Sequence, residues 1–278
     1  MVIKNLVLSG GSFRGYCYLG VLKYLNENKP DFYNNLEHIV GVSIGAIFGS
    51  LVCLGYRGED LIKIFCEIDE EKFRNITSDS ILNFFETFGL DDGEKLMKLI
   101  GILFKGKGLG INITFKELHE KTNVTLTIVG CCLNKTKEVH FSHITHPEME
   151  VLKAIRISTS IPFFYNPVKF ENDLYVDGGI VNNFPIELFE ENLDETLAIL
   201  LIGTDYYEQE INDIQGYFNS LVRNAVFKHV KNKIEKYKKN IVKIECNQCP
   251  YDLTICKENK LSLINIGYNI ISKYYLQG

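Results

Sequence analysis

The segment Gly41-Val42-Ser43-Ile44-Gly45 has the pattern G-x-S-x-G and lies between an apolar run and a run rich in small residues. A strand that turns sharply into a helix needs small residues on both sides of the turn residue. A serine at that turn projects its hydroxyl above the sheet, with the helix N-terminus beneath it. The pattern predicts a nucleophile at Ser43, and the alternative is a strand-to-helix turn whose glycines serve close contact alone.

A second glycine-rich segment, Gly10-Gly11-Ser12-Phe13-Arg14-Gly15, follows an apolar run. Consecutive glycines expose backbone N–H groups that can converge on an anion. The dinucleotide-binding spacing G-x-G-x-x-G and its ribose-binding acid are both missing from the sequence, which argues against a nucleotide phosphate loop. Two interpretations remain open, an oxyanion hole and a plain tight turn.

A third segment, Asp177-Gly178-Gly179, places an acid at the end of a predicted strand. Two glycines would let this acid approach another loop closely, although an Asp-Gly turn is also common. Serine hydrolases normally use a histidine base held by an acid, but only one of the six histidines, His229, follows Asp177. It lies on a basic helical stretch and is expected to face solvent, so a dyad of Ser43 and Asp177 is the better hypothesis.

The histidine cluster His140, His143 and His146 has the proximity of metal ligands. It straddles a strand end and a loop beside Pro147, and no carboxylate or cysteine accompanies it at zinc-site spacing. A structural role is favoured for these three histidines, and no metal site is predicted.

Together and in this order, the three segments resemble the patatin-like phospholipase family, which has a G-G-G-x-[RK]-G loop, G-x-S-x-G and D-G-[GA]. The stretch Ser158-Thr159-Ser160-Ile161-Pro162 resembles the family's small-residue block before the aspartate, and Asn183 and Pro185 resemble the segment after it. The resemblance covers about residues 5 to 190. One departure is Ser12, where the family often has a third glycine; serine keeps the backbone N–H.

The resemblance implies a serine lipid acyl hydrolase of phospholipase A or lysophospholipase type, which is a carboxylic ester hydrolase. Ser43 would be the nucleophile, Asp177 its base, and Gly41 and Gly45 the flanks of the nucleophile elbow. The remaining implied site residues are those of the oxyanion loop, Gly10, Gly11, Ser12, Arg14 and Gly15, and the supporting residues Gly178, Gly179 and Pro162. No step needs a cofactor or a metal. The alternatives are an esterase or thioesterase acting on soluble acyl esters, and an inactive lipid-binding protein.

These segments need a sheet to position them. Apolar and β-branched runs predict strands at Leu6–Ser9, His38–Val42, Val124–Leu133, Leu197–Ile202 and Ile241–Cys246. Helices alternate with the strands, which predicts an α/β fold with a central, mainly parallel sheet flanked by helices; the resemblance implies a three-layer α/β/α arrangement. The predicted helices include Tyr16–Asn28, Ile44–Leu54, Asp79–Phe88, a short helix capped by Thr114, and Asp213–Lys239. We expect a single domain over residues 1–278, with the motifs in about residues 5–190 and residues 191–278 completing the fold.

Composition limits the possible partners. The 278 residues carry a net charge of −5, which argues against nucleic acid because duplex binders need a basic excess. The uncharged stretch Ile39–Tyr56 imitates a membrane span through Gly41, Gly45 and Gly49, but it is near the minimum spanning length, so no transmembrane segment is expected. Without a secretory signal, we expect a cytoplasmic protein with a lipid substrate and transient contact with membrane surfaces.

Six lysines lie in the second half of the predicted helix Asp213–Lys239. They could contact anionic lipid headgroups, but a charge run of this kind is more often a solvated helix face. Both interpretations stay open. The six are Lys228, Lys231, Lys233, Lys236, Lys238 and Lys239.

Overall fold

A mixed, mainly parallel β-sheet lies at the centre of the structure. The computed structural model describes residues 2–203, 211–212, 214–246 and 255–277. Within these ranges eight strands form one sheet in the order β5-β6-β3-β2-β1-β7-β8, with β4 also paired to β3. Their bounds are β1 Asn5–Leu8, β2 His38–Val42, β3 Thr125–Cys132, β4 Lys137–Phe141, β5 Val168–Phe170, β6 Asp173–Asp177, β7 Thr196–Gly203 and β8 Ile241–Cys246.

The strand directions confirm the predicted class. Strands β3, β2, β1, β7 and β8 run parallel to their neighbours in this series, whereas β4, β5 and β6 are antiparallel additions. Strands β1, β2, β3 and β7 are buried almost throughout, as expected when helices cover both faces of a sheet, whereas the edge strand β8 exposes alternate residues. Two predicted strands, His38–Val42 and Ile241–Cys246, have the observed bounds. The predicted strands at β1, β3 and β7 differ by one residue at each end.

Helices cover both faces of the sheet. Side chains alternate along a strand, so β1 contributes to a separate core on each face of the sheet. Leu6 and Leu8 pack into the core that contains the first, third and last helices, and Val7 packs into the core that contains Val230 of the eleventh helix. The bounds are α1 Tyr16–Asn28, α2 Phe32–Asn35, α3 Ile44–Cys53, α4 Gly58–Glu67, α5 Ser78–Leu82, α6 Phe84–Thr87, α7 Glu94–Gly106, α8 Phe115–Thr122, α9 Val151–Ser158, α10 Gly179–Asn182, α11 Ile214–Lys236 and α12 Lys257–Gln277.

One helix prediction is wrong. Residues 79–88 do not form a single helix but two short ones, α5 and α6, because Asn83 between them has a φ of −91° and a ψ of 9°, outside the helical region. A capping box of Thr77 and Ser80 begins α5, and Phe88, with a φ of 57°, ends α6. The cap predicted at Thr114 is confirmed, since its hydroxyl accepts the Glu117 N–H at the start of α8.

The uncharged stretch Ile39–Tyr56 forms most of β2, a sharp turn and α3, as expected from its glycines. Among the helices in the described ranges, none is both long enough and apolar enough to span a membrane. The single-domain interpretation stays a prediction. It is supported by β7, which lies between β1 and β8 in one sheet, and by α12, which packs along α1.

Candidate active site

Ser43 lies at the turn between β2 and α3, where it is the N-cap residue of the helix. Its backbone has a φ of 54° and a ψ of −121°, a conformation that residues other than glycine rarely adopt. The two flanking glycines permit this turn by close backbone contact. A Cβ on Gly41 would lie 2.4 Å from the carbonyl oxygen of Gly45, and a Cβ on Gly45 would lie 2.3 Å from the carbonyl oxygen of Leu8.

The register of the sheet brings Asp177 next to this turn. Val129 of β3 is the last residue to pair with β2, opposite Val42. The next residue of β3, Gly130, pairs with Asp177 at the end of β6. Asp177 therefore lies directly beyond the carboxyl end of β2, where Ser43 begins the turn.

The Asp177 carboxyl is buried and hydrogen-bonded. Its residue is 5% exposed, compared with 7% for Ser43. Burial raises the pKa of Asp177 to about 7, and the neighbouring Ser43 side chain and the Gly179 N–H oppose that rise; the Gly179 nitrogen donates to Oδ1 at 2.7 Å. A carboxylate with a pKa near 7 is a stronger base than an exposed aspartate and is still partly ionised at neutral pH. The pair can therefore transfer a proton from the serine hydroxyl to the carboxylate.

The two glycines after Asp177 occupy tight positions. A Cβ on Gly178 would lie 2.3 Å from the carbonyl oxygen of Val129, and a Cβ on Gly179 would lie 2.8 Å from Oδ1 of Asn183. These contacts explain why an Asp-Gly-Gly sequence can approach β3 closely enough to meet Ser43.

The glycine-rich loop borders Ser43. A Cβ on Gly10 would lie 3.2 Å from the Cβ of Ser43 and 2.3 Å from Oδ1 of Asn183. Gly10 and Asn183 are doubly linked, because the Gly10 N–H donates to the Asn183 carbonyl at 3.2 Å and the Asn183 side-chain amide donates to the Gly10 carbonyl at 3.3 Å. Asn183 thus ties the glycine-rich loop to the segment that carries Asp177.

The members of this loop differ in what they can offer an oxyanion. The N–H of Gly10 donates to Asn183 and the N–H of Arg14 donates to the Gly11 carbonyl at 3.1 Å. Gly11 and Ser12 remain the candidate donors of the loop, and Ser12 has a φ of 50°. Gly15 has a contact role, since a Cβ there would lie 2.3 Å from the side chain of Ile44 at the start of α3.

The end of α9 supports both members of the pair. The Ser158 hydroxyl accepts the N–H of Ser43 at 2.9 Å and donates to the carbonyl of Val129 at 2.6 Å. The Ser160 carbonyl accepts the N–H of Asp177 at 2.9 Å, and Pro162 lies two residues further along. The roles of Ser158, Ser160 and Asn183 were missed by sequence reasoning, and the small-residue block before Asp177 was the signal that could have found the two serines.

The described histidine side chains do not take part in this arrangement. His38 begins β2 at the far end of the strand from Ser43, and the rings of His119 and His143 stack with centroids 3.7 Å apart. The side chain of His229 lies outside the described residues. No group of His, Cys, Asp or Glu suited to a metal ion occurs in the part of the chain that the structure describes.

Known proteins resemble this chain in sequence and in fold. A family model described as patatin-like phospholipase matches residues 6–190. A protein of Acanthamoeba polyphaga mimivirus is 37% identical over 79% of this chain and 74% of its own length. A probable lipid hydrolase of Invertebrate iridescent virus 6 is 33% identical, over 78% of this chain and 76% of its own. The crystal structure of VipD from Legionella pneumophila matches the whole of this chain and 67% of its own chain, with a TM-score of 0.61. The two sequences are 18% identical, so this match shows a shared fold alone.

Proposed function

Because the chain belongs to the patatin-like phospholipase family, we propose that it is a lipid acyl hydrolase that cleaves fatty-acyl esters through an acyl-enzyme on Ser43. Family membership and the similarity to a probable lipid hydrolase support lipid hydrolysis. The observation that carries the catalytic assignment is the register of the sheet, which places the buried Asp177 carboxyl, whose pKa is raised to about 7, directly beyond the end of β2 where Ser43 begins the turn.

The first half of the proposed reaction forms the acyl-enzyme. The Ser43 hydroxyl gives its proton to the Asp177 carboxylate as its oxygen attacks the ester carbonyl carbon. The carbonyl oxygen becomes an oxyanion, which accepts hydrogen bonds from the N–H groups of Gly11 and Ser12. Removing one such donor from other enzymes raises the barrier by about 3 kcal/mol. The C–O bond to the alcohol then breaks, and Asp177 returns the proton to the leaving oxygen.

The second half releases the fatty acid. A water molecule gives a proton to Asp177 and attacks the acyl carbon, and the same N–H groups stabilise the second oxyanion. The bond to the Ser43 oxygen breaks and Asp177 returns the proton to it. A single carboxylate therefore serves as base and then acid in each half.

The experiment that tests this proposal measures fatty acid release from a phospholipid and covalent labelling by a fluorophosphonate. The wild-type protein should do both, and the Ser43→Ala variant should do neither while keeping its circular dichroism spectrum. Ser262→Ala, which removes an exposed serine of α12, is the matched control and should behave as wild type. Turnover by a folded Ser43→Ala variant at the wild-type rate would refute the assignment.

The same assay separates the lipid hydrolase from its rivals. An esterase or thioesterase for soluble substrates would hydrolyse an ester equally well below and above its micelle concentration, whereas a lipid hydrolase should accelerate above it. A lipid-binding protein without activity would bind lipid but would not react with the fluorophosphonate.

A further inference from the structure

The segment of α5 and α6 exposes large apolar side chains that touch little of the protein. Leu82 is 77% exposed and Phe85 is 86% exposed, and Ile81 and Phe88 are also largely exposed. We call Ile81, Leu82, Phe85 and Phe88 the apolar patch. So many exposed apolar side chains in a short segment mark an interaction surface rather than ordinary surface composition.

The patch is held in place by the residues around it. The capping box of Thr77 and Ser80 begins α5. On the other side of α6, the N–H groups of Leu90 and Asp91 both donate to the carbonyl of Phe164, at 2.9 and 3.0 Å. The apolar side chains therefore project from a segment whose start is fixed by a local cap and whose end is hydrogen-bonded to Phe164.

The patch also continues towards Ser43 and Asp177. The ring of Phe84 lies 6.5 Å from that of Phe218 on α11, and Phe218 stacks on Phe163 with centroids 4.0 Å apart. Phe163 follows Pro162 in the same short loop that begins at Ser160, whose carbonyl holds the N–H of Asp177. An unbroken series of aromatic rings thus joins the apolar patch to the loop beside the dyad.

The charges near the patch indicate which kind of surface it fits. Residues 77–88, which span α5 and α6, contain two exposed acidic residues, Asp79 and Glu86, and neither lysine nor arginine. Acidic side chains beside the patch would be repelled by an anionic lipid layer. The patch is therefore suited to insertion among uncharged or zwitterionic lipids, where the free energy comes from burying apolar surface.

The lysines of α11 are less suited to that contact than their number suggests. Lys233 forms an ion pair with Glu187 and Lys236 forms one with Glu190, each at 2.7 Å. These pairs reduce the positive charge that the helix presents. The side chain of Lys228 lies outside the described residues.

We propose that the apolar patch docks the protein on a zwitterionic lipid surface and so turns the entrance of the site towards the lipid. This inference rests on the proposed function, because Ser43 and Asp177 are almost completely buried and an ester must leave its lipid layer to reach them. A patch continuous with the loop beside Asp177 shortens that path.

The test measures co-sedimentation with phosphatidylcholine vesicles in the Ser43→Ala background, which is expected to leave the lipid intact. Replacing Leu82 and Phe85 together by serine should lower the vesicle partition coefficient at least about tenfold. Ile144→Ser is the matched control, because Ile144 is a 72% exposed apolar residue far from Ser43. Its neighbour His143 stacks on His119 of α8, which lies at the amino end of β3. This control should bind as the parent does, and added salt should not weaken binding because no charge attraction is involved.

Three results would overturn the proposal. The first is equal binding by the Leu82 and Phe85 variant and its parent. The second is binding that requires phosphatidylserine and is lost in salt, which would assign docking to the lysines of α11. The third is a dimer of the parent in sedimentation velocity that the patch variant loses, which would make a second copy of the chain the occupant.

A separate readout keeps this proposal distinct from the proposed function. In the wild-type background, the Leu82 and Phe85 substitutions should leave hydrolysis of a monomeric short-chain ester unchanged and reduce hydrolysis of vesicle lipid. A wild-type protein that cleaves no ester would refute the proposed function, whereas vesicle binding by the Ser43→Ala protein still decides the role of the patch.

Discussion

The backbone N–H of Ser43 donates to the side-chain hydroxyl of Ser158 at 2.9 Å, although the two residues are 115 positions apart in the chain. Ser158 is completely buried, and its hydroxyl proton is used in the bond to the carbonyl of Val129. One hydroxyl therefore joins the turn that carries Ser43 to the strand whose next residue pairs with Asp177. We regard Ser158 as a positioning residue for the proposed Ser43–Asp177 dyad.

Replacing Ser158 by alanine should slow the reaction without preventing it. The Ser43 N–H and the Val129 carbonyl would each lose a partner in a buried position, which costs about 1–3 kcal/mol of stability. Because small displacements of a nucleophile reduce its reactivity strongly, we expect kcat to fall about tenfold or more while KM stays nearly unchanged. Steady-state kinetics on a monomeric ester and urea denaturation measure the two effects.

Thr159→Ala is the control for the Ser158 prediction. The Thr159 hydroxyl donates to the carbonyl of Ile155 within its own helix, so its removal should reduce stability but leave kcat unchanged. Equal kcat values for Ser158→Ala and wild type would show that Ser158 has only a structural role.

The pKa of Asp177 predicts a pH dependence of activity. In the proposed reaction the Asp177 carboxylate accepts the proton of Ser43, and burial raises its pKa to about 7. The value of kcat/KM should therefore rise with pH and level off above a midpoint near 7. An exposed aspartate would give a midpoint about three pH units lower. A profile that is flat from about pH 5 to about pH 9 would contradict Asp177 as the base.

The same pKa predicts how stability varies with pH. The folded-state pKa of Asp177 lies above its ordinary value of 3.8, so between these two pH values the folded protein holds a proton that the unfolded chain has released. The contribution of this group to stability is present below about pH 3.8 and is lost as pH rises through about 7. The loss amounts to at most about 4 kcal/mol, at 1.36 kcal/mol for each pH unit.

Asp177→Asn should abolish activity, and it should also abolish the loss of stability that accompanies ionisation of Asp177. Urea denaturation at a series of pH values from about 4 to about 8 should show the wild-type protein losing stability relative to Asp177→Asn as the pH rises. Asp194→Asn, which changes an exposed carboxyl, should keep the wild-type pH dependence. If the Asp177→Asn and wild-type curves are parallel, the carboxyl is not perturbed by burial.

Gly10 should not tolerate even a methyl group. A Cβ there would meet Oδ1 of Asn183 at 2.3 Å and the Cβ of Ser43 at 3.2 Å, so Gly10→Ala must displace the loop that carries Gly11 and Ser12. Misplacing oxyanion donors costs on the order of 100-fold in kcat in other enzymes, and we expect a loss of that size. Single-turnover acylation by a chromogenic ester measures it.

A glycine in open surroundings provides the control for Gly10. The nearest atom to a Cβ on Gly110 would be the Asn112 nitrogen at 4.0 Å, so Gly110→Ala should leave the acylation rate unchanged. If Gly10→Ala acylates as fast as Gly110→Ala, the loop does not contribute the oxyanion hole.

The sequence predicts the parallel strands well because each is a short apolar run bounded by polar or turn residues. The bounds of β2, β8 and α1 are predicted without error. It cannot predict that Asp177 pairs with Gly130, because this register depends on contacts between β6 and β3 that local periodicity does not encode. The Ser43–Asp177 pair therefore came from motif order and family resemblance. The partners Ser158 and Asn183 came from the structure alone.

The backbone of Ser43 leads to a last prediction, on stability. With a φ of 54° and a ψ of −121°, Ser43 occupies a conformation that costs a residue other than glycine about 1–3 kcal/mol. Ser43→Ala removes the hydroxyl and keeps this strain, whereas Ser43→Gly removes both. Both variants should be inactive, but Ser43→Gly should be more stable than Ser43→Ala by about 1 kcal/mol in urea denaturation.

Ser50 supplies the opposite case on the same helix. It lies in the interior of α3, where glycine is less favourable than alanine by about 1 kcal/mol. Ser50→Gly should therefore be less stable than Ser50→Ala. Glycine should thus stabilise the protein relative to alanine at position 43 and destabilise it at position 50. The same sign at both positions would mean that the positive φ of Ser43 does not strain the folded protein.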